Sequence, residues 1–279
     1  MKQIFFILVM LASLCFNTQK LKAQSGWIKL FNGKDLKDWA IKIKDHQLND
    51  NYGNTFRVEN GVMKISYDQY KDFNDQYGHI FYKQKFSAYL ILVEYRFVGE
   101  QVKGGPGWAY RNNGVMLHCQ SPESMAVDQD FPISLEMQLL GGNGKDERST
   151  ANLCTPGTNV ILNNKLFTPH CVNSTSKTYH GDQWVIAEAL VLKDSVIKHI
   201  VEGDTVIVYQ HPQYDGKDKW VQKEGFKDGE PIGEGYISLQ SESHPTEFRR
   251  VELFDLEPYI NDPATLNKIL QQLHQRKKE

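Results

Sequence analysis

The 279-residue chain is 40% hydrophobic and 24% charged, a balance that excludes a disordered or low-complexity polypeptide. Its formal charge of −2 excludes a strongly basic surface, so neither nucleic acid nor anionic membrane is an expected partner.

Residues 1–23 read as a secretory signal peptide. Lys2 supplies a positive start, Ile4 to Phe16 an apolar run, and Leu21-Lys22-Ala23 a small residue at the cleavage position. The apolar run is too short for a stable bilayer anchor, and Leu14 precedes Cys15 where a lipid-anchor signal wants a small residue. Export to a periplasm or the medium is therefore expected, with no integral membrane segment left after cleavage. Cleavage removes Lys2, Lys20 and Lys22, leaving 29 basic against 34 acidic side chains, a formal charge of −5.

After Gln24 the chain alternates short β-prone runs with turn chemistry. Phe56 to Glu59 and Val62 to Ile65 flank Asn60-Gly61, a two-residue hairpin signal because both residues tolerate positive φ. Further runs are His79 to Tyr82, Tyr89 to Phe97, Val115 to Cys119, Ile133 to Leu140, Trp184 to Leu192, Val196 to Val201, Thr205 to Tyr209, Tyr236 to Gln240 and Phe248 to Leu256. Turns at Lys193-Asp194-Ser195 and Glu202-Gly203-Asp204 make a three-stranded meander. This pattern predicts an antiparallel sandwich or barrel. Gly141 to Gly181 reads as one long Gly/Asn/Thr/Pro-rich loop, and loops of that length are functional or disordered. Three cysteines survive cleavage. Cys154 and Cys171 within this segment are the preferred disulfide pair, with Cys119 free and three unpaired thiols as the alternative. A single helix closes the chain: Asp262 caps it, Pro263 suits its first turn, and Leu266, Ile269, Leu270 and Leu273 recur at helical spacing. The expected layout is a signal peptide over 1–23, a β-sandwich domain over 24–257 and a helical extension over 258–279.

Side chains alternate between the faces of a strand, so ISLEMQLL (Ile133 to Leu140) projects Glu136 and Gln138 from one side and Leu135, Met137 and Leu139 from the other. That is either the wet face of a half-buried strand or part of a site. In Tyr89 to Phe97, Glu94 and Arg96 share the face opposite Tyr89, Ile91, Val93, Tyr95 and Phe97, which makes them a cross-strand ion pair or ligand contacts. His118 falls with Gly114 and Met116 on the less branched face of its strand, as a structural histidine or a proton-transfer group. GGPGWAYRNNG (Gly104 to Gly114) brings Trp108, Tyr110 and Arg111 together with two asparagines. Aromatic platforms beside amide and guanidinium donors suit a pyranose, with its apolar C–H faces and hydroxyl rim. YISLQ places Tyr236, Ser238 and Gln240 on one face, and Glu242 and His244 follow just beyond. There is no phosphate loop, Gly-x-Ser-x-Gly elbow or zincin helix.

GWIKLFNGKDLKDW (Gly26 to Trp39), NNGVMLH, EMQLL, GDQWV (Gly181 to Val185) and GYISLQSESHPTEFRRVELFDL (Gly235 to Leu256) together resemble the DUF1080 family, described as 3-keto-disaccharide hydrolases or 3-keto-glucoside 1,2-lyase domains. The resemblance implies an all-β, concanavalin A-like jelly-roll sandwich, akin to lectins and glucanases, that binds an oligosaccharide or glycoside on its concave sheet. Related glucanases carry carboxylates at alternating positions of one strand. Here Glu136 is followed by Gln138, which cannot ionise, whereas ordinary retaining hydrolysis uses two carboxyl groups.

The keto-sugar route the resemblance implies is different. A C3 ketone acidifies the C2 proton, a base removes it, the enolate expels the C1 substituent, and water adds back. On this reading Glu136 transfers the proton or holds an activating divalent metal ion, and His118 and His244 serve the second transfer. Gln138, Glu94, Arg96, Trp108, Tyr110, Arg111 and Gln240 contact the sugar. A lectin-like binding protein and a conventional glycoside hydrolase are the competing readings.

Overall fold

The computed structural model describes residues 26–275, so the signal-peptide segment lies outside the described residues. Two antiparallel sheets carry the fold. The ten-stranded sheet runs β11 (Lys165–Phe167), β10 (Thr158–Leu162), β15 (Asp204–Tyr214), β14 (Val196–Val201), β13 (Val185–Leu192), β6 (Ala88–Phe97), β17 (Thr246–Asp255), β4 (Val62–Ile65) and β3 (Phe56–Glu59), with β1 (Trp27–Lys29) also paired to β17. The seven-stranded sheet runs β12 (Cys171–Val172), β9 (Asn152–Cys154), β8 (Leu135–Leu140), β7 (Asn112–Cys119), β16 (Tyr236–Ser241), β5 (Gly78–Tyr82) and β2 (Trp39–Ile43).

The inner faces pair as alternation predicts. Tyr89, Ile91, Val93, Tyr95 and Phe97 of β6 meet Val115 and Leu117 of β7, Leu135, Met137 and Leu139 of β8, and Ile237 and Leu239 of β16 in one buried core. Burying a side chain of this size contributes about 1.5–3 kcal/mol. The core therefore fixes which residues of the smaller sheet must turn outward, among them Glu136, Gln138, Gly114, Met116 and Gln240.

The predicted hairpins form. Asn60 and Gly61 sit at φ 52° and 78°, and Lys193 and Glu202 also take positive φ at the two meander turns. The long loop expected over Gly141 to Gly181 instead holds four short strands, β9 to β12. Asn163 and Asn164, at φ 51° and 61°, turn β10 into β11, because asparagine tolerates the left-handed region a tight hairpin needs. Cys154 and Cys171 face each other across β9 and β12 and form a disulfide, while Cys119 is free and buried.

A six-residue helix, α1 (Lys219–Glu224), carries no periodicity to reveal it. Asp218 caps it by accepting from the Trp220 and Val221 amides, and Gly225 at φ 81° ends it. The C-terminal helix α2 (Pro263–Gln275) buries Leu266, Ile269 and Leu273 on the outer face of the larger sheet, against Ala88, Leu90, Leu190, Phe254 and Leu256.

Candidate active site

The outer face of the smaller sheet carries a pocket of about 240 Å3 lined by Trp108, Asn112, Phe131, Glu136, Gln138, Cys154, Pro156, His170, Cys171 and Glu242. Glu136 reaches it from β8, where it lies opposite Met116 on one side and Cys154 on the other. Its carboxyl lies over Gly114, where an added Cβ would collide with the carboxyl oxygen and come within 2.8 Å of Cγ. Glycine at 114 is what leaves room for this acid.

Glu242 follows β16, two positions beyond Gln240. The next residue, Ser243, sits at φ 90°, a conformation costing a non-glycine residue about 1–3 kcal/mol. Three bonds hold it there: its amide donates to the Tyr67 hydroxyl at 2.9 Å, its carbonyl accepts from the Val102 amide at 3.0 Å, and the Gln101 side-chain amide donates to its Oγ at 2.8 Å. This turn delivers Glu242 beside Glu136.

Both acids are buried, at 6% and 3% exposure, and burial pushes the proton affinity of each above the usual carboxylate range. For Glu242 the neighbouring Glu136 charge pushes further in the same direction, and Arg148 opposes it. A pair of buried carboxyls with raised proton affinity can keep one member protonated as a donor while the other, once ionised, serves as a base.

Arg148 also anchors the loop over the pocket. Its guanidinium donates to the carbonyls of Tyr110, of Gly141 at 3.0 Å and of Trp108 at 3.0 Å. Trp108, 54% exposed, stacks on Tyr77 with centroids 6.0 Å apart, and Tyr77 packs on Phe131 at 5.1 Å. Trp108 and Phe131 thus form an aromatic wall braced from behind by Tyr77. Beneath it the buried Asn112 Oδ1, both amide atoms of Gln240 and Glu242 Oε2 have no protein hydrogen-bond partner. Such groups cost about 1–3 kcal/mol each when left unpaired, so this face is built to meet polar atoms from elsewhere.

Of the residues singled out from sequence, Glu136, Gln138 and Trp108 line the pocket. Gln138 accepts from the Asn152 amide at 3.1 Å. Gln240 lies fully buried on the same outer face, opposite His79 of β5. The other expectations need correction.

His118 is turned away from the pocket. Between the pairs Cys119–Tyr236 and Met116–Ser238, β7 advances three residues while β16 advances two, so β7 carries one extra residue there. His118 takes φ 47° at this bulge. Its ring turns inward onto Tyr89, 6.0 Å away, and its Nε2–H donates to the Lys193 carbonyl at 3.2 Å. Cys119 instead occupies the outer face with Phe81, Met116 and Met125. Burial lowers the His118 pKa to about 4, leaving the ring neutral.

His244 is buried between Phe97 and Tyr110, 5.8 and 5.0 Å away, and does not line the pocket. Burial, then the Arg111 charge, lowers its pKa to about 4. Tyr110 and Arg111 brace the loop: the Arg111 guanidinium donates to the Gly181 carbonyl at 2.6 Å and to Asp182 Oδ1 at 2.9 Å.

Glu94 and Arg96 belong to the larger sheet. Glu94 pairs with Arg249, while Arg96 donates to Glu247 at 2.7 Å and lies 4.6 Å over Trp184. They form the cross-strand ion pairs that were the alternative reading. Glu242, Asn112, Phe131 and Arg148 are site groups that the sequence reading did not select. Glu242, in step with Ser238 and Gln240, and Asn112, one of the two asparagines after Arg111, carried signals that could have found them; Phe131 and Arg148 did not.

Fold and pocket together define a jelly-roll sandwich of the galectin type, with a buried acid pair on one outer face. The chain belongs to the family of the 3-keto-alpha-glucoside-1,2-lyase-like domain, whose model matches residues 26–253, and it is a carbohydrate-active protein. A Bacillus subtilis protein of unknown function with a galectin-like fold superimposes with a TM-score of 0.52 at 12% identity, covering 82% of this chain and 94% of that one. A Parabacteroides distasonis protein provisionally assigned as a glycosyl hydrolase is 19% identical, over 86% of this chain and 99% of that one, with a TM-score of 0.48. A Bacillus licheniformis beta-glucanase is 13% identical, over 82% and 97%, with a TM-score of 0.45. No curated protein matches the chain. Among the described residues no helix is long and apolar enough to cross a membrane.

Proposed function

We propose that the protein is an exported enzyme that cleaves 3-keto-glycosides by elimination followed by hydration. The observation that carries this reading is the buried Glu136–Glu242 pair under the Trp108–Phe131 wall. The ionised member removes the proton on C2, which the C3 ketone has acidified. The enolate expels the C1 oxygen, and the protonated member supplies the proton that the leaving group needs. Water then adds across C1 and C2 of the unsaturated sugar as the same two groups exchange roles, the abstracted proton having exchanged with solvent once the leaving group departs, so the net change is hydrolysis. Gln138 and Asn112 hydrogen-bond the sugar hydroxyls. The disulfide supports export, since such bonds persist in oxidising compartments.

A divalent ion would have to use Glu136 and Glu242 with amide oxygens, Asn112 Oδ1 foremost, a hard-oxygen donor set of the kind such ions take. Among the described residues the only trio of His, Cys, Asp or Glu with ligand atoms within 4.8 Å is Cys154, His170 and Cys171, and both sulfurs there are in the disulfide. If bound at the acid pair, the ion would polarise the ketone oxygen.

Glu242 also gives substance to a second reading. The carboxyl missing at Gln138 is supplied by Glu242 from the turn after β16, so the two acids that a conventional glycoside hydrolase uses are available. Turnover assays on 3-keto-glucosides and ordinary glucosides, with and without a chelator, separate the readings. The proposal expects turnover of the keto substrates and its loss in Glu136→Gln. Turnover of ordinary glucosides alone would replace it with double displacement, and sugar binding without any turnover would leave a lectin-like protein.

A further inference from the structure

One wall of the acid pocket differs in chemistry from the rest. Cys154, His170 and Cys171 line it together, and their two sulfurs and one imidazole nitrogen lie within 4.8 Å of one another. The disulfide occupies both sulfurs, so the trio cannot ligate an ion in this state. Yet the bond is not all that brings the three residues together. Cys171 pairs with Cys154, and Val172 with Leu153, in the β9–β12 ladder. On one side of the cysteines the Thr155 amide donates to the His170 carbonyl at 2.8 Å, and its hydroxyl donates to the Pro169 carbonyl at 3.3 Å. On the other, the Ser174 amide donates to Asn152 Oδ1 at 2.8 Å and its hydroxyl to the Thr150 carbonyl at 2.6 Å. Thr155, Asn152 and Ser174 are buried, which strengthens these bonds, and none of them involves sulfur.

We infer that Cys154, His170 and Cys171 form a site for a thiophilic divalent ion of the zinc class, which the disulfide keeps shut and a dithiol reductant opens. Around a tetrahedral zinc ion, sulfur and nitrogen ligands stand about 3.3–3.8 Å apart. With the bond cleaved the sulfurs rotate apart to that spacing, and the imidazole closes by about 1 Å. The braced ladder holds the backbone in register while they do so.

Cys171 is exposed and Cys154 buried, so the reductant's first thiolate attacks the Cys171 sulfur and Cys154 leaves as a thiolate. The reductant's second thiol then closes its own disulfide and frees Cys171, so two electrons pass to the protein and two thiols result. The ion displaces a proton from each, leaving two thiolates and a neutral imidazole around a charge of +2. Such soft donors select zinc over magnesium or calcium, unlike the hard oxygens of the acid pair. Three protein ligands leave a fourth position for water. Since all three line the pocket, that position opens into it, on the side of Glu136, which pairs with Cys154 across β8 and β9. Under oxidising conditions the disulfide therefore keeps this wall free of metal.

The test uses the whole mature protein, oxidised and after dithiothreitol treatment with the reagent removed under nitrogen, and probes it with Co2+ and Zn2+. The reduced protein should keep the circular dichroism of the oxidised one and take up one equivalent of Co2+ with thiolate-to-cobalt charge-transfer absorption. Zn2+ should displace the Co2+, and Mg2+ or Ca2+ at the same concentration should not. The oxidised protein should show no such absorption. His170→Gln should weaken Co2+ binding by the reduced protein ten-fold or more, and one equivalent of Zn2+ should slow reoxidation by oxidised glutathione ten-fold or more. Absence of the absorption in the reduced protein, its presence in the oxidised protein, or unchanged affinity in His170→Gln would overturn the assignment. So would reoxidation at the same rate with and without Zn2+, or a reduced chain that loses its fold and does not regain it with Zn2+. None of these readouts is turnover, so the outcome is independent of the reaction proposed above.

Discussion

Glu136→Gln should make the protein more stable and less active at once. In the folded chain burial raises the Glu136 pKa from 4.5 to about 8. The folded state therefore binds this proton more tightly than the unfolded state does, and stability falls as pH rises from about 4.5 and levels off near 8. A slope of about 1.4 kcal/mol per pH unit over that window makes the penalty at pH 7 roughly 3 kcal/mol. Glutamine keeps the shape and never ionises. Thermal and urea unfolding of both proteins at pH 4 and pH 7 measure the effect. The expectation is a gain of roughly 3 kcal/mol at pH 7, on the order of 5–10 °C in midpoint, and no gain at pH 4. Turnover should fall by about 10²–10⁴, the usual contribution of a positioned acid or base. A variant that is destabilised at pH 7, or stabilised equally at both pH values, would refute the idea that this carboxyl carries a burial penalty.

Gly114→Ala should abolish turnover by at least about 10²-fold while β7 still pairs, because the added methyl occupies the space of the Glu136 carboxyl; steady-state kinetics with circular dichroism of the purified variant checks both halves. His118→Gln should leave kcat/KM within about three-fold and cost roughly 1–3 kcal/mol of stability, since the ring serves the Lys193 carbonyl and the Tyr89 contact inside the core. Replacing both Cys154 and Cys171 with serine should cost roughly 2–4 kcal/mol in urea unfolding, as expected for a bridge across 17 residues, and should raise KM because both residues line the pocket.

The sandwich was legible because burial writes itself into alternation. Tyr89 to Phe97 and Leu135 to Leu139 show the core face directly, and Asn60-Gly61 marks a turn by its φ tolerance. The same logic misplaced His118, because one bulge residue in β7 reverses the alternation and no residue type in that stretch announces it. Glu94 and Arg96 show the limit of pattern reading from another side. Strand period tells which face a residue takes, but not which of the two sheets its strand will join. Glu136 was found by its period and understood only in part. Its partner Glu242 lies 106 positions away and is aimed by the unusual backbone of Ser243, which is held by Tyr67 and Gln101, side chains from elsewhere in the chain. Short elements such as α1 and β9 to β12 were missed because α1 is under two turns long and β9 to β12 lie in a segment whose Gly, Asn, Thr and Pro read as loop.

The central claim is that the glycoside is opened by loss of the C2 proton and closed by addition of water. Running the reaction on a 3-keto-glucoside in D2O and following the product by NMR, against an enzyme-free control for spontaneous exchange, tests this directly. The proposed route predicts deuterium at C2 of the released keto sugar, at close to one equivalent from the first turnovers. Release of a product that keeps its original hydrogen at C2, together with no primary kinetic isotope effect on a C2-deuterated substrate, would contradict it and would point to displacement at C1 by the Glu136–Glu242 pair.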